Sequence, residues 1–103
     1  MKINNESVNK RLEEEGIYYH HVKDCYDIVY FISLRKQVDS LTKEHLCNVL
    51  QRIYKLTIAL EVEISIQGYE LSGRWMVKTW DLPAYYINKD MNDAIIECVE
   101  AIG

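Results

Sequence analysis

The residues of this chain with the widest chemical range are three histidines and three cysteines. His20 and His21 are adjacent, Cys25 follows closely, and His45 stands apart. Imidazole and thiolate ligate zinc, and a Cys–His pair can also form a nucleophilic site. A zinc site needs four convergent ligands at recognisable spacing. Neighbours on a strand point to opposite faces, so His20 and His21 do not share one ion. Cys25, Cys47 and Cys98 have no CxxC spacing and no nucleophile motif around them, and they read as reduced thiols. Gly68 and Gly73 enclose Tyr69-Glu70-Leu71-Ser72 with no Lys-Ser or helix after them, so a phosphate loop is not indicated. The expectation is no enzyme, no metal and no cofactor. A small ligand- or metal-binding enzyme built on His20 and His21 is the third-ranked reading.

The surplus is aromatic: eight Tyr and two Trp against one Phe. Tyr18, Tyr19, Tyr26 and Tyr30 fall early, and Tyr69, Trp75, Trp80, Tyr85 and Tyr86 gather in the C-terminal half. Such rings either cap the edges of a core with their polar ends in water, or form contact surfaces, where Tyr and Trp are enriched. Glu61 and Glu63 lie on the polar side of a neighbouring strand. Tyr69, Trp75, Trp80, Tyr85, Tyr86, Glu61 and Glu63 are therefore the expected partner-binding residues. An aromatic and acidic surface complements a basic protein, such as a nuclease or another nucleic-acid-handling enzyme. The run Glu13-Glu14-Glu15 opposes the dipole at a helix C-terminus, which gives it a secondary claim to face a partner.

The elements that position these residues are legible from periodicity. Asn5 to Glu15 reads as a polar helix with Val8 and Leu12 as its apolar pair and Gly16 at its end. Ile17 to Lys23 reads as extended, and Asp24 to Asp27 as a turn. Ile28 to Arg35 is a nearly continuous apolar run, as in a central strand. Thr42 is placed to cap a helix in which Leu46, Val49, Leu50, Ile53 and Leu56 form one stripe, with Leu41 stapling onto Leu46. Ile58, Leu60, Val62, Ile64 and Ile66 alternate strictly with polar residues, so that face is expected to pack on helices. A turn region is expected from Gln67 to Gly73, then a return strand from Arg74 to Trp80. Asp81-Leu82-Pro83 breaks that strand, and Ala84 to Ile87 follows as a short extra one. A last helix carries Met91, Ala94, Ile95, Cys98, Val99 and Ile102 on one stripe, with Asp90 as its cap.

The order α-β-β-α-β-β-(β)-α predicts an α+β fold: a mainly antiparallel sheet with helices on one face, ferredoxin-like or HicB-like. One domain over residues 1–103 fits the length. The net charge is −4, divided as −1 over residues 1–51 and −3 over residues 52–103. That balance argues against direct nucleic-acid binding, which draws on clustered cations. No apolar run approaches the roughly 20 residues that span a bilayer, and no secretory leader is recognisable at Met1 to Glu15. A cytoplasmic protein without membrane association is expected.

The C-terminal 35 residues, about a third of the chain, resemble the HicB-type antitoxin domain. The match runs through Arg74 to Trp80, the corner Asp81-Leu82-Pro83, the segment Ala84 to Ile87, then Asp93-Ala94-Ile95 and Glu100-Ala101-Ile102. Ala84 and Lys89 stand where that family has glycine, and the first half of the chain has no counterpart in it. The resemblance implies a fold that binds and blocks a protein partner, commonly a nuclease toxin. In composition the chain is also similar to small phage anti-defence proteins of the anti-CRISPR type and to bacterial immunity proteins. The leading expectation is a non-enzymatic inhibitor that occludes a nucleic-acid-processing bacterial target. The alternative is a homodimeric structural or adaptor subunit joined through a sheet edge or the Cys98-bearing helix.

Overall fold

The first helix, α1 (Glu6–Glu14), is polar along most of its surface but buries Val8 and Leu12 completely. Its cap Asn5 serves two helices. The Asn5 side-chain oxygen accepts from the Val8 N–H at 3.2 Å, and its Nδ2 donates to the C-terminal carbonyls of Val99 and Glu100 in the last helix. Gly16 ends α1 at φ +82°, and its carbonyl accepts from Val29 N at 2.8 Å. A Cβ there would sit 3.2 Å from the Val29 carbonyl oxygen, so both the angle and the close approach favour glycine. The acidic end of α1 has local partners. Arg11 pairs with Glu14 and Glu15, and Arg52 reaches Glu15 at 3.5 Å. These cations offset the unfavourable charge at the helix end.

The computed structural model describes residues 2–21, 24–32, 35–80 and 82–103. Val22, Lys23, Ser33, Leu34 and Asp81, on which parts of two expected strands and of the proline corner rest, lie outside the described residues. The chain is α+β. After α1 come β1 (Ile17–His20), β2 (Cys25–Ile32) and β3 (Arg35–Ser40), then α2 (Lys43–Tyr54). They are followed by β4 (Thr57–Ser65), β5 (Gly68–Lys78), β6 (Tyr86–Asn88) and α3 (Met91–Glu100). The strands make two three-stranded antiparallel sheets, β1-β2-β3 and β4-β5-β6, each in sequential order. Neither contains the crossover that a ferredoxin-like sheet requires.

Three expectations are corrected here. The turn foreseen at Asp24 to Asp27 is confined to its first residue, Asp24 at φ +49°, because Cys25 to Asp27 already pair with β1. Strand β3 is not legible in the sequence, since Arg35-Lys36-Gln37-Val38-Asp39-Ser40 has no apolar alternation. Its strand character comes from its ladder with β2, where Val38 lies opposite Val29. The region from Gln67 to Gly73 is not a long turn either. The turn is Ile66-Gln67 alone, and Tyr69 to Leu71 are strand residues paired with β4.

Both helix caps predicted from sequence are present: Thr42 accepts from His45 N, and Asp90 from Asp93 N. Leu46, Cys47 and Leu50 of α2 and Ala94, Ile95, Cys98 and Val99 of α3 are buried, joined by Leu41, Ile17, Tyr26 and Val77. Helix α3 packs on β5, β6 and α2. Ile3 is fully buried beside this cluster. Its N–H donates to the Tyr26 hydroxyl at 3.0 Å, the hydroxyl donates to Asn9, and Asn9 donates back to the Ile3 carbonyl at 2.8 Å. Burial raises the Tyr26 pKa, opposed by the hydrogen bond from Ile3.

Candidate functional site

Two of the chemically versatile residues, His20 and Cys25, gather around Asp27. His20 Nε2 lies 3.5 Å from Asp27 Oδ2, the Ser40 hydroxyl donates to Asp27 Oδ1 at 3.1 Å, and the Cys25 thiol donates to Ser40 at 3.7 Å. The carboxylate stands between histidine and serine, whereas a nucleophilic triad needs the histidine there to take the hydroxyl proton. The arrangement satisfies a buried carboxylate instead. His45 is exposed on the first turn of α2. Burial pushes the Cys47 thiol up to about 11, which keeps it protonated at neutral pH. Among the described residues, no three His, Cys, Asp or Glu side chains converge as a metal site. No helix among them is long and apolar enough to cross a membrane.

The unusual region is the hairpin of β4 and β5. Near its base, Ile58 pairs with Val77, which is fully buried, and Leu60 pairs with Trp75, which is half-buried. Strand β6 extends the sheet only along Trp75, Met76 and Val77. Beyond Trp75, β4 and β5 continue as a two-stranded arm. The same apolar alternation persists there, with Val62 opposite Leu71 and Ile64 opposite Tyr69, but the helices no longer cover it. Val62 is 47% exposed, Leu71 64%, Tyr69 77% and Ile64 78%, and Ile66 stands free at the tip. This overturns the expectation that the Leu60–Ile66 face packs on helices.

The reason is length. A strand advances about 3.3 Å per residue and a helix about 1.5 Å. The 11 residues of β5 therefore reach about 36 Å, while the 10 residues of α3 reach about 15 Å. The helix layer ends before the hairpin does. The radius of gyration is accordingly 16.3 Å, against about 13 Å for a compact chain of this size.

The arm leaves the body at a bulge. Between the pairs Leu60–Trp75 and Val62–Leu71, Glu61 alone faces Ser72, Gly73 and Arg74. Gly73 takes φ +82° to admit the extra residues, and the Ser72 hydroxyl accepts from Arg74 N at 3.2 Å. Arg74 clamps Glu61 through Nε at 2.9 Å and through Nη2. The Arg74 guanidinium holds the Glu61 carboxyl below the usual carboxylate range, with help from Ser72 and against partial desolvation. Glu63 and Glu70 lie directly opposite each other on the side of the arm away from the apolar face. Among the described residues no cation pairs with either. Like charges placed so oppose the ladder.

Of the residues singled out from sequence, Tyr69 and Trp75 share the apolar face, and Glu61 and Glu63 share the acidic back. The other three lie elsewhere. Tyr86 is opposite Val77 and packs against the core. Tyr85 is exposed, with Lys78 Nζ 5.3 Å from its ring centre. Trp80, 82% exposed, stands past the end of β5 beside a cleft of about 350 Å³ lined also by Ile53, Tyr54, Lys55, Thr79 and Ile102. Sequence reasoning missed Val62, Ile64, Ile66 and Leu71, because it assigned the alternating face to the core and Leu71 to a turn. Comparing strand length with helix length would have revealed them. No family model, curated protein or solved structure matches the chain.

Proposed function

We propose that this protein works by binding another protein chain rather than by catalysis, with the β4–β5 arm as its contact element. The observation that carries the reading is the uncovered apolar face of Val62, Ile64, Tyr69 and Leu71. The largest contiguous apolar patch on a soluble protein often marks an interaction site. A two-stranded ribbon is also marginal by itself and gains stability from a second packed layer.

The finer reading is an antitoxin-like inhibitor that occludes a basic, nucleic-acid-processing protein. It is supported by the resemblance of the C-terminal 35 residues to the HicB-type domain, by the net charge of −4 and by Glu63 and Glu70, which face each other with no ion-pair partner among the described residues. In this reading the arm lies over the target's working surface and its acidic back meets cations there.

An arm-less variant tests the proposal. Replacing residues 62–71 with Asn-Gly joins Glu61 to Ser72 by a two-residue turn and leaves every core residue in place. The intact chain, recovered from the cells that make it, carries a bound protein; the arm-less chain, with unchanged circular dichroism, loses it. Retention of the same protein by a folded arm-less chain overturns the proposal.

A further inference from the structure

The apolar face of the arm calls for an occupant whose chemistry matches its own. Leu60, Val62, Ile64, Tyr69, Leu71 and Trp75 are the side chains on it, and none is charged. Interfaces between different proteins that form and part are about as polar as ordinary surface, whereas homodimer interfaces are more apolar. We infer that this face packs against the same face of a second copy of the chain, making a two-fold dimer in which the two arms form a two-layer sandwich. The inference rests on the reading above that the arm is a contact element.

Area and charge both favour a second copy. Large aliphatic side chains contribute on the order of 100 Å² each when exposed, so the face offers on the order of 500 Å² per chain. Two such faces bury about 1,000 Å² together, the lower bound for a specific interface. Alternation places Glu61, Glu63 and Glu70 on the backs of both arms, so the charges of the two chains are held apart across the seam. The same backs stop a third layer from adding, which closes the assembly at two. Packed sheets lie about 10 Å apart, a spacing that side chains of Ile, Leu and Tyr fill. Dimerisation would then leave the acidic backs outward, available to a basic partner.

Sedimentation equilibrium of the purified full chain over a concentration series tests this. The expected result is a species of twice the 12.2 kDa chain mass that dissociates on dilution. Ile64→Asp and Leu71→Asp each place a charge in the seam and should weaken association at least about a hundredfold. Glu63→Gln, on the back, should leave the dimer intact. Thermal unfolding of each variant, measured well below the dissociation concentration, confirms that the body is still folded. If the intact chain is a monomer at every concentration, the dimer is overturned while the arm stays available to a different protein, and the arm-less test still decides that broader reading. If the chain dimerises but both Asp variants, folded, dimerise equally well, the seam has been assigned to the wrong surface.

Discussion

Tyr26 shows how much one polar atom can hold in this structure. Its hydroxyl accepts from the buried Ile3 N–H and donates to Asn9, tying the N-terminal segment to β2 and α1. Tyr26→Phe leaves that N–H without an acceptor inside the protein, at a cost of about 1–3 kcal/mol. Urea unfolding should show a lower midpoint with an unchanged slope; an equal midpoint would mean that water replaces the hydroxyl. Nothing in the sequence around Tyr26 announces this role, since the partners are 17 and 23 residues away in the chain. The helix caps are the opposite case. Asn5, Thr42 and Asp90 act on backbone N–H groups three residues on, so their role is local and can be read from spacing. Glu14 and Glu15 fall between these cases. Arg11 on the same helix is visible in sequence, whereas Arg52, which also reaches Glu15, is not.

Among the elements, α2 and α3 were fully legible because their apolar stripes and caps agree. Strand β3 was not, because pairing with β2 rather than its own pattern makes it a strand. The instructive element is the β4–β5 hairpin. Its alternation marks it as a strand, but alternation states which residues share a face and not whether anything covers that face. Coverage is set by the reach of the helices, which stop short. The hinge of this arm is the Glu61–Arg74 clamp at the bulge, and it carries a pH dependence of known sign. The folded pKa of Glu61 lies below its unfolded value of 4.5. Its stabilising contribution is therefore complete above that value and is lost as the pH falls through the folded pKa. Wild type should exceed Glu61→Gln in thermal midpoint at pH 7, and the gap should close at pH values well below 4.5. A gap that is constant across that range would show that the charge of Glu61 does not hold the bulge.

At the scale of the whole molecule, one buried cluster joins all three helices and both sheets, and the arm projects from it. Of the seven residues singled out from sequence, the fold brings four to the arm and its root, on two opposite faces, and leaves Trp80, Tyr85 and Tyr86 apart. The aromatic surplus pointed to the right half of the chain, but the aliphatic residues beside it make the larger patch. The arm is the surface through which we propose that this protein meets another chain. Hydrogen exchange of the purified chain tests that most directly, followed from on the order of 1 μM to 1 mM, the range in which a self-contact of ordinary strength fills. Residues 60–75 should exchange fast when dilute and much more slowly when concentrated, with no change in α1 or β1. If no segment responds to concentration, the dimer is overturned and the arm-less chain decides for a different protein; slowing around Trp80 and the end of α2 instead of the arm contradicts both.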